Sequence, residues 1–571
     1  MRPTDDLAII WITERASLRR LMSRPIRFVI SVSLVILIVT TLPYVYGELS
    51  SPPDKKFMGF MHNVPDHGQY LSWFRGFQHS LLVDNHLTPE PNAPIFFNLL
   101  WWTLARVARF TGLGYAILYQ ILRWVAGSLF LGIIWFFLSL FLEHKFQRAI
   151  AFLLVAVASG LGWVLVILKY TLLQGKLIFP LDVYIAESNT LFCIMAYPHF
   201  TLAAALIVLV FALLIVGARK GQLRYAILAG LVALILGWQH AYDLLVIWSV
   251  PIGYTTLLAL RNRRIPTYWL RSILIVGLIS FWPALYSVYI TQASPIWKEV
   301  LAQFENAGVF TPDPFHLLIL MGLPLVSTLL TFDGLVPLAE QDEGQLFIKS
   351  WFLIGFLLNY VPTDFQIHML NGWQVPVSVL ATVGLFQRVV PAIAESVSKT
   401  ARPGPRGRLA WWIALGFLVL TLPTNLYLVS WRFVELGRAD YPYYLYRDEL
   451  AALDWLETHT SVNDVVLSSR AVGQYIPGLS GNRPFLAHWA QTLDFYDKRE
   501  QVQRFFDAEV DDAERLQTLQ TFGVDYVLYG PAERTLGQYS PGDSSLFSVA
   551  FSNPQVTIYR MNTEEVSKGG E

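Results

Sequence analysis

Long apolar runs separated by short polar segments dominate the first 430 residues of the chain. The first run, Arg27–Gly47, follows several arginines between Arg15 and Arg24. Because a membrane-crossing helix needs roughly 20 apolar residues, this run predicts an uncleaved signal anchor. Further runs predict spans at approximately 115–141, 148–168, 198–217, 225–242, 244–260, 272–290, 316–333, 347–361, 375–392 and 410–430. The pattern predicts an α-helical polytopic membrane protein with about eleven transmembrane helices.

Basic residues in the connecting segments predict the orientation of the chain. With the N-terminus in the cytoplasm, clusters at 219–224, 261–271 and 388–408 all become cytoplasmic, as the positive-inside rule requires. The acidic segment 334–346, with Glu340, Asp342 and Glu343, also becomes cytoplasmic and fits less well. An odd number of spans places the C-terminal region outside. Three longer segments are then predicted on the outer side, at 48–114, 169–197 and 291–315.

The C-terminal region changes to alternating helices and short apolar strands. Its predicted elements are helices at 447–458, 498–507 and 512–522 and strands at 464–468, 524–529, 546–551 and 556–560. This alternation is typical of a small α/β domain. The predicted domains are a basic cytoplasmic N-terminus (1–26), a multi-span membrane domain (27–430) with the first outer loop at 48–114, an extracytoplasmic α/β domain (436–563) and a disordered tail (564–571).

Composition narrows the class of protein further. Hydrophobic residues make up 54% of the 571 residues and charged residues only 15%, against about 25% in soluble domains. Lys+Arg and Asp+Glu are equal at 42 each, so overall charge gives no reason to expect a nucleic-acid partner. Cys193 is the only cysteine, which excludes an intrachain disulfide and a cysteine-based metal site. An outer domain without disulfides is more typical of a bacterium or an archaeon.

The first outer loop contains a candidate catalytic carboxylate. Asp66 lies in the segment VPDHGQYLSWFRGF and is followed by His67 and Tyr70, which we take as candidate substrate-binding residues. A carboxylate near the membrane surface can accept the proton of an acceptor hydroxyl as a general base. The alternative is a solvated loop aspartate or a helix N-cap.

The segment Pro94–Leu113 predicts an amphipathic helix interrupted by Arg106 and Arg109. The two arginines and Asn98 share one stripe opposite a wide apolar face, which favours a helix lying in the membrane interface. Arginines at that position suit a lipid phosphate or headgroup. The alternative is simple anchoring of the helix at the interface by its tryptophans and arginines.

Polar residues also interrupt the apolar runs at predicted outward turns. These candidate substrate-binding residues are Glu187 and His199 around the second outer loop, His240 and Asp243 in the segment GWQHAYD, and His368 near Asp364 and Asn371. Ionisable residues at membrane depth usually face a cavity. His199 could instead cap its helix, and His240 and Asp243 could lie in a short turn at the water boundary. No H-E-x-x-H, phosphate-binding glycine loop or G-x-S-x-G motif occurs in the sequence.

The chain resembles the polytopic GT-C glycosyltransferases, in particular bacterial relatives of the dolichyl-phosphate-mannose-protein mannosyltransferase and lipid A aminoarabinose transferase families. The resemblance rests on PDHGQYLSW, ESNTLFCIMAYPHF, GWQHAYD and the tail segments NRPFLAHWAQTLDFYDKREQVQRFF and FGVDYVLYGPAERTLG. It implies inverting transfer of a sugar from a polyprenyl-phosphate donor, with Asp66 matching the first-loop carboxylate. The family's paired acids are absent because His67 follows Asp66, and His368 stands where a basic residue is expected to bind the lipid phosphate.

These features together predict a hexosyl- or pentosyltransferase in the plasma (inner) membrane. Its predicted partners are a lipid-linked sugar donor, membrane lipid and an acceptor that is a glycan, a lipid or a protein. No cofactor is certain, and a divalent metal is possible. The alternatives are a transporter or flippase for a lipid or small solute, and a non-catalytic membrane scaffold. Transporters commonly contain inverted repeats, and none is evident in this sequence.

Overall fold

The computed structural model describes residues 25–176, 181–304, 310–332, 342–363, 365–400 and 406–562. Several sequence predictions concern residues outside these ranges. They are the basic N-terminus up to residue 24, Glu340, Asp364, residues 401–405 of the basic linker, and the tail at 564–571.

Helices account for nearly all regular structure before residue 436, as the apolar pattern predicts. They are α1 (Pro25–Leu49), α2 (Val64–His79), α3 (Leu99–Thr111), α4 (Tyr115–Ser139), α5 (Lys145–Val157), α6 (Gly162–Thr171), α7 (Thr190–Ala196), α8 (Pro198–Lys220), α9 (Arg224–Gln239), α10 (Leu244–Asn262), α11 (Thr267–Ala293), α12 (Pro295–Ala302), α13 (Pro314–Leu329), α14 (Glu343–Leu358), α15 (Gln374–Gly384), α16 (Val390–Thr400), α17 (Arg406–Leu420) and α18 (Pro423–Leu436).

Eight helical segments among the described residues are long and apolar enough to cross a membrane. The number becomes nine if the bent pair α5–α6 counts as one span. The two remaining predicted spans coincide with α9 and α14, which have 16 residues each and are shorter than the roughly 20 that cross a bilayer upright. Each of the predicted apolar runs therefore lies on one helix or on two consecutive helices, and the number of about eleven spans stays a prediction.

The span predicted at 148–168 is broken because its backbone hydrogen bonds leave the helix. Between α5 and α6, the Ser159 amide donates to Thr421 and the Leu161 amide donates to Ile319. The Gly162 amide, at the start of α6, donates to the carboxylate of Asp182 at 2.8 Å. The result is a bend of 43° between the two helices.

The chain divides into two compact units. The first unit contains the described residues of Met1–Leu42, Ile121–Leu285 and Phe310–Trp431. The second unit contains those of Pro43–Gln120, Tyr286–Val309 and Arg432–Glu571. The segment predicted as the first outer loop thus belongs to the same unit as the predicted C-terminal domain.

A five-stranded mixed sheet forms the centre of the second unit. After the short strands β1 (Lys55–Phe57) and β2 (Tyr444–Tyr446), its elements are α19 (Arg447–His459), β3 (Val465–Leu467), α20 (Arg470–Gly473), α21 (Ile476–Leu479), β4 (Arg483–Pro484), α22 (Phe495–Phe505), α23 (Asp512–Thr521), β5 (Val524–Tyr529), β6 (Phe547–Ser552) and β7 (Thr557–Met561). The strand order is β4-β3-β5-β7-β6, with β3 parallel to β4 and β5 and the remaining pairs antiparallel. The α/β character predicted for this region is present.

Two close approaches hold α2 against the segment that contains α20 and α21. A Cβ on Gly68 would lie 2.4 Å from the carbonyl oxygen of Gln474, and a Cβ on Gly478 would lie 2.3 Å from the side chain of Leu71. Only glycine allows such short separations between a helix and its neighbour. The chain just before α2 is held in a similar way: β1 pairs with β2 of the C-terminal region, with Lys55 opposite Tyr446.

Candidate functional site

Asp66 lies in the first turn of α2, in the second unit. The N-cap of the helix is Asn63, so Asp66 is not the cap residue. The Asn63 amide donates to Asp66 Oδ2 at 2.6 Å. A carboxylate in the first helical turn is stabilised by the helix dipole. The Asp66 side chain is 20% exposed, so it is both held in place and accessible from solvent.

His488 supplies the second contact to Asp66. Its Nδ1 accepts the backbone N–H groups of Ala490 and Gln491 at 3.0 and 3.2 Å. Because these bonds require a lone pair on Nδ1, the proton of the neutral ring is on Nε2. The Nε2–H group then donates to Asp66 Oδ1 at 3.2 Å. The hydrogen-bond pattern thus specifies one tautomer of His488 and one direction for its bond.

The loop that carries His488 is itself fixed by hydrogen bonds. Thr492 Oγ1 accepts the backbone N–H groups of Ala487 and His488, each at 3.1 Å, and donates to the Leu87 carbonyl at 2.6 Å. The His488 side chain is only 2% exposed. Burial lowers the pKa of His488, although the neighbouring Asp66 carboxylate acts in the opposite direction. A neutral imidazole beside a carboxylate is therefore the favoured state.

Arg470 is the third member of this group, which we call the Asp66 cluster (Asp66, His488 and Arg470). Burial lowers the pKa of Arg470, and the Asp66 carboxylate acts in the opposite direction. The positive charge of Arg470 adds to the effect of burial in lowering the pKa of His488. His488 and Arg470 were not predicted as site residues. They lie more than 400 residues after Asp66, and the one signal available was that His488 stands in the tail segment NRPFLAHWAQTLDFYDKREQVQRFF, one of those that carry the resemblance.

The two predicted neighbours of Asp66 point into an aromatic core. His67 stacks on Phe60 with ring centroids 4.3 Å apart, and its Nδ1 lies 3.4 Å from the hydroxyl of Tyr115. Burial lowers the pKa of His67 to about 3, so the ring is neutral. Tyr70 stacks on Trp101 at 4.4 Å. These are contacts typical of core residues, and the substrate-binding roles of His67 and Tyr70 stay predictions.

Arg106 and Arg109 bind the end of α2. Both donate to the carbonyl oxygen of Gln78, at 3.4 and 3.2 Å, and Arg106 also donates to that of Ser80 at 3.1 Å. Asn98, predicted on the same stripe, is the N-cap of α3 and accepts two backbone N–H groups. The arginines thus satisfy carbonyl groups at a helix C-terminus, where cations are favoured. Their predicted phosphate contact stays a prediction.

Five other predicted residues come together in the first unit. We call this group the histidine cluster: Glu187, His199, His240, Asp243 and His368. Glu187 Oε1 lies 2.5 Å from His368 Nδ1, and His240 Nδ1 lies 3.3 Å from Asp243 Oδ2. These residues come from three separate predicted turns, and the structure places them in one group.

Aromatic rings join the two His–carboxylate pairs of the histidine cluster. The ring of Tyr242 stacks on His368 at 4.9 Å and lies 4.9 Å from His240. The ring of Phe200 lies within 5.3 Å of His240 and 5.7 Å of His368. His199 lies 5.5 Å from His240. Aromatic faces beside paired hydrogen-bonding groups are suited to a hydroxylated ligand.

Among the residues that the structure describes, no three His, Cys, Asp or Glu side chains are grouped so as to hold a metal ion. A divalent ion such as Mg²⁺ is commonly held by one or two carboxylates together with water and substrate phosphate. The possible divalent metal therefore stays a prediction.

Comparisons with known proteins show similarity at the level of structure. No protein-family model and no curated protein matches the sequence. The oligosaccharyltransferase of Archaeoglobus fulgidus, tethered with an acceptor peptide, superposes with a TM-score of 0.52 at 11% identity, over 87% of this chain and 69% of that chain. The same archaeal protein, AglB, in complex with an inhibitory peptide and a dolichol-phosphate, gives 0.50 at 12% identity over the same shares. The chain has a GT-C fold.

ArnT from Cupriavidus metallidurans, bound to undecaprenyl phosphate, also matches. Its TM-score is 0.49 at 11% identity, over 94% of this chain and 97% of that chain. The resemblance expected from the sequence is confirmed for the fold by the superposition on AglB, a GT-C superfamily member.

Proposed function

We propose that this integral membrane protein is a glycosyltransferase that moves a sugar from a polyprenyl-phosphate donor to an acceptor at the outer face of the membrane. The observation that carries the proposal is the Asp66–His488 pair. It provides a partly exposed carboxylate whose orientation is fixed on a chain with a GT-C fold. Solved structures with this fold belong to lipid-linked glycosyltransferases, which supports the proposal.

Asp66 is the proposed general base of this reaction. Its carboxylate accepts the proton of the acceptor hydroxyl while that oxygen forms a bond to the anomeric carbon of the sugar. The bond between that carbon and the phosphate oxygen breaks, and the polyprenyl phosphate leaves with the electron pair. Attack opposite the leaving group inverts the configuration at the anomeric carbon. The proton that Asp66 accepts balances the charge left on the phosphate.

His488 positions the base in this mechanism. Its Nε2–H group holds Asp66 Oδ1, while two backbone amides prevent the ring from turning over. Oδ1 accepts one bond from His488 and Oδ2 accepts one from Asn63, so each oxygen keeps a lone pair that can accept the acceptor hydroxyl. Fixing the carboxylate in advance reduces the entropy lost in reaching the transition state.

Donor chemistry and location belong to the same proposal. AglB was solved with a dolichol-phosphate and ArnT with undecaprenyl phosphate, and we propose a polyprenyl phosphate of this class as the leaving group here. The histidine cluster is proposed to bind sugar hydroxyl or phosphate oxygens through its His–carboxylate pairs. The N-terminus is proposed to be cytoplasmic and the second unit extracytoplasmic. A phosphatase reporter fused after Glu571 tests that orientation, and a cytoplasmic signal contradicts it.

The test of function uses purified protein in proteoliposomes that contain a panel of hexosyl and pentosyl polyprenyl phosphates. We expect transfer by the wild type and a loss of at least about 100-fold in kcat for Asp66→Asn, because an amide cannot accept the proton. Asparagine keeps an oxygen for His488, so the fold is retained. Asp54→Asn is the matched control, since Asp54 is an exposed acid of the same segment.

Two outcomes contradict the proposal. If Asp66→Asn transfers sugar at the rate of Asp54→Asn, Asp66 is not the base. If the wild type transfers no sugar from any donor of the panel, and instead moves the lipid between leaflets, the transporter alternative replaces the glycosyltransferase.

A further inference from the structure

Two helical segments of the first unit are broken at the same place. The bend between α5 and α6 contains Gly160, and α13 has non-helical backbone angles at Gly322 (φ 63°, ψ −149°). A Cβ on Gly322 would lie 2.9 Å from the Cα of Gly160, so the two breaks are in contact. The positive φ of Gly322 and this close approach both require glycine.

Three oxygen atoms converge on Gly160. A Cβ on this residue would lie 2.3 Å from the Leu320 carbonyl oxygen, 2.4 Å from that of Ile319 and 2.6 Å from Asp182 Oδ2. The Leu320 carbonyl cannot accept the usual helical hydrogen bond, because Pro324, four residues later, has no N–H. The broken helices therefore bring backbone carbonyls and a carboxylate together.

A cavity of about 20 Å³ lies beside these oxygen atoms. Gly160, Leu320 and Pro324 line it together with Gln374, the first residue of α15. Gln374 is only 6% exposed, and its Nε2 group donates to Thr190 Oγ1 at 3.3 Å. Among the residues that the structure describes, Gln374 Oε1 has no hydrogen-bond partner. The volume is sufficient for one water molecule or one small ion.

Asp182 contributes a buried carboxylate next to the cavity. Its side chain is 1% exposed, and Oδ2 accepts the Gly162 amide at 2.8 Å. Oδ1 has no hydrogen-bond partner within the described part of the chain, and the nearby Thr424 hydroxyl donates to the Gly160 carbonyl at 2.9 Å. No basic side chain of the described residues pairs with Asp182. Buried charges are normally paired with an opposite charge or with a metal ion.

We propose that this cavity binds a monovalent cation such as Na⁺, with Gln374 Oε1 and the Leu320 carbonyl as ligands and Asp182 as the counter-charge. The groups left to be satisfied are all acceptors, and a water molecule can donate to only two of them and carries no charge. Carbonyls freed at helix breaks coordinate Na⁺ in other membrane proteins. The cation holds α13 against the bend between α5 and α6, a role that is independent of sugar transfer.

The test measures thermal unfolding of the full chain in nanodiscs with a thiol-reactive dye, because Cys193 is buried in the first unit. NaCl is exchanged for N-methyl-D-glucamine chloride at constant ionic strength. A cation that binds only the folded state raises the unfolding temperature. For the wild type we expect a rise of at least about 3 °C at saturating Na⁺. Gln374→Met has a similar volume but no oxygen ligand, and its rise should be less than about 1 °C.

Gln239→Met is the matched control. Gln239 is also a buried glutamine of the first unit, and its Nε2 group donates to the His199 carbonyl at 3.0 Å. It does not line the cavity. Whatever the stability of this variant without Na⁺, we expect its unfolding temperature to rise with Na⁺ as that of the wild type does.

Asp182→Asn tests the counter-charge separately. An amide oxygen can still accept the Gly162 N–H group, but the negative charge is lost. We expect the Na⁺ concentration that gives half of the stabilisation to increase at least tenfold. An unchanged concentration would contradict the role of Asp182.

Two results overturn the proposal: a wild type that unfolds at the same temperature in both salts, and a Gln374→Met variant that keeps the full response to Na⁺. If Gln374→Met does not fold, binding of radioactive Na⁺ to the wild type and to Asp182→Asn decides. Weaker binding by the variant supports the site, and equal binding or none by the wild type overturns it. Because no sugar is transferred in these measurements, their failure leaves the proposed role of Asp66 unaffected.

Discussion

The Asp66 cluster and the histidine cluster both pair carboxylates with imidazoles, but they differ in burial. Asp243 of the histidine cluster is 0% exposed and Glu187 only 6%, whereas the Asp66 side chain is 20% exposed. A buried carboxylate that loses its partners carries a large desolvation penalty, and an accessible one is rehydrated. Burial of its carboxylates lets the histidine cluster contribute to structural stability, whereas the partial exposure of Asp66 gives a reacting group access to that carboxylate.

The two clusters also differ in how their imidazoles are held. In the Asp66 cluster, two backbone amides fix the tautomer of His488. In the histidine cluster, His240 lies between Asp243 and the hydroxyl of Tyr242, at 3.3 and 3.5 Å. Side chains fix its orientation, so removal of one member alters the rest of the group. We therefore expect substitutions in the histidine cluster to alter stability in addition to the proposed substrate binding, and those in the Asp66 cluster to alter activity with little loss of stability.

The largest expected effect is on stability, from Asp243→Ala. Loss of the buried carboxylate leaves His240 and the Asn371 amide, 3.5 Å away, without their acceptor. We expect the free energy of unfolding to fall by about 3 kcal/mol, against less than about 1 kcal/mol for Asp66→Ala. Cys193 is the only cysteine and is buried in the first unit, so a thiol-reactive fluorescent dye reports thermal unfolding there.

Asp243→Asn is the control for that experiment. It keeps an oxygen acceptor at almost unchanged volume and is expected to retain most of the stability. Equal losses for Asp243→Ala and Asp66→Ala would show that burial does not distinguish the two clusters.

The same difference explains which residues could be predicted from the sequence. The members of the histidine cluster interrupt apolar runs, and an ionisable residue in such a run is conspicuous because its burial is unfavourable. His488 lies in a polar domain where histidines are unremarkable, and its contact with Asp66 joins residues 422 positions apart. Nothing local encodes that contact. It depends on tertiary packing: the close approaches of α2 to the chain at Gln474 and Gly478, and the hydrogen bonds of Thr492 that hold the His488 loop against Leu87.

Contacts between residues distant in the chain also limited how much of the fold could be predicted. Apolar runs identified the helices and the α/β region, because periodicity depends on local sequence. The break between α5 and α6 depends on contacts with Thr421, Ile319 and Asp182, which lie far away in the chain. The apolar run at 148–168 was therefore predicted as one continuous span. The sequence could not show that Arg106 and Arg109 donate to the Gln78 carbonyl, because that carbonyl belongs to another helix.

The next effect is on activity, from His488→Phe. Without the Nε2–H group, Asp66 loses its fixed orientation, and we expect kcat to fall about 10- to 100-fold with KM nearly unchanged. His488→Gln places an amide N–H near the former Nε2 position and is expected to restore most of kcat. A parallel loss of kcat in both variants, or a loss accompanied by a matching rise in KM, would limit His488 to a structural role.

The smallest effect separates Asp66 from its neighbour in the chain, His67. Burial lowers the pKa of His67 to about 3 in the folded protein. As pH falls below about 6.5, the His67 imidazole is therefore protonated in the unfolded chain but not in the folded one. The stability that the neutral ring contributes is complete above that pH and is lost as pH falls toward the pKa of the folded state. At about pH 5.5 the loss is about 1.4 kcal/mol. His67→Phe keeps the stacking on Phe60 and removes this dependence of stability on pH, which hydrogen exchange of α2 measures across the acidic range.

His459→Phe is the control, because His459 is an exposed histidine stacked on Trp455. This variant should leave the pH dependence of stability unchanged. If His67→Phe retains the full acid sensitivity, His67 is not a neutral core residue, and its predicted place in the substrate site beside Asp66 regains support.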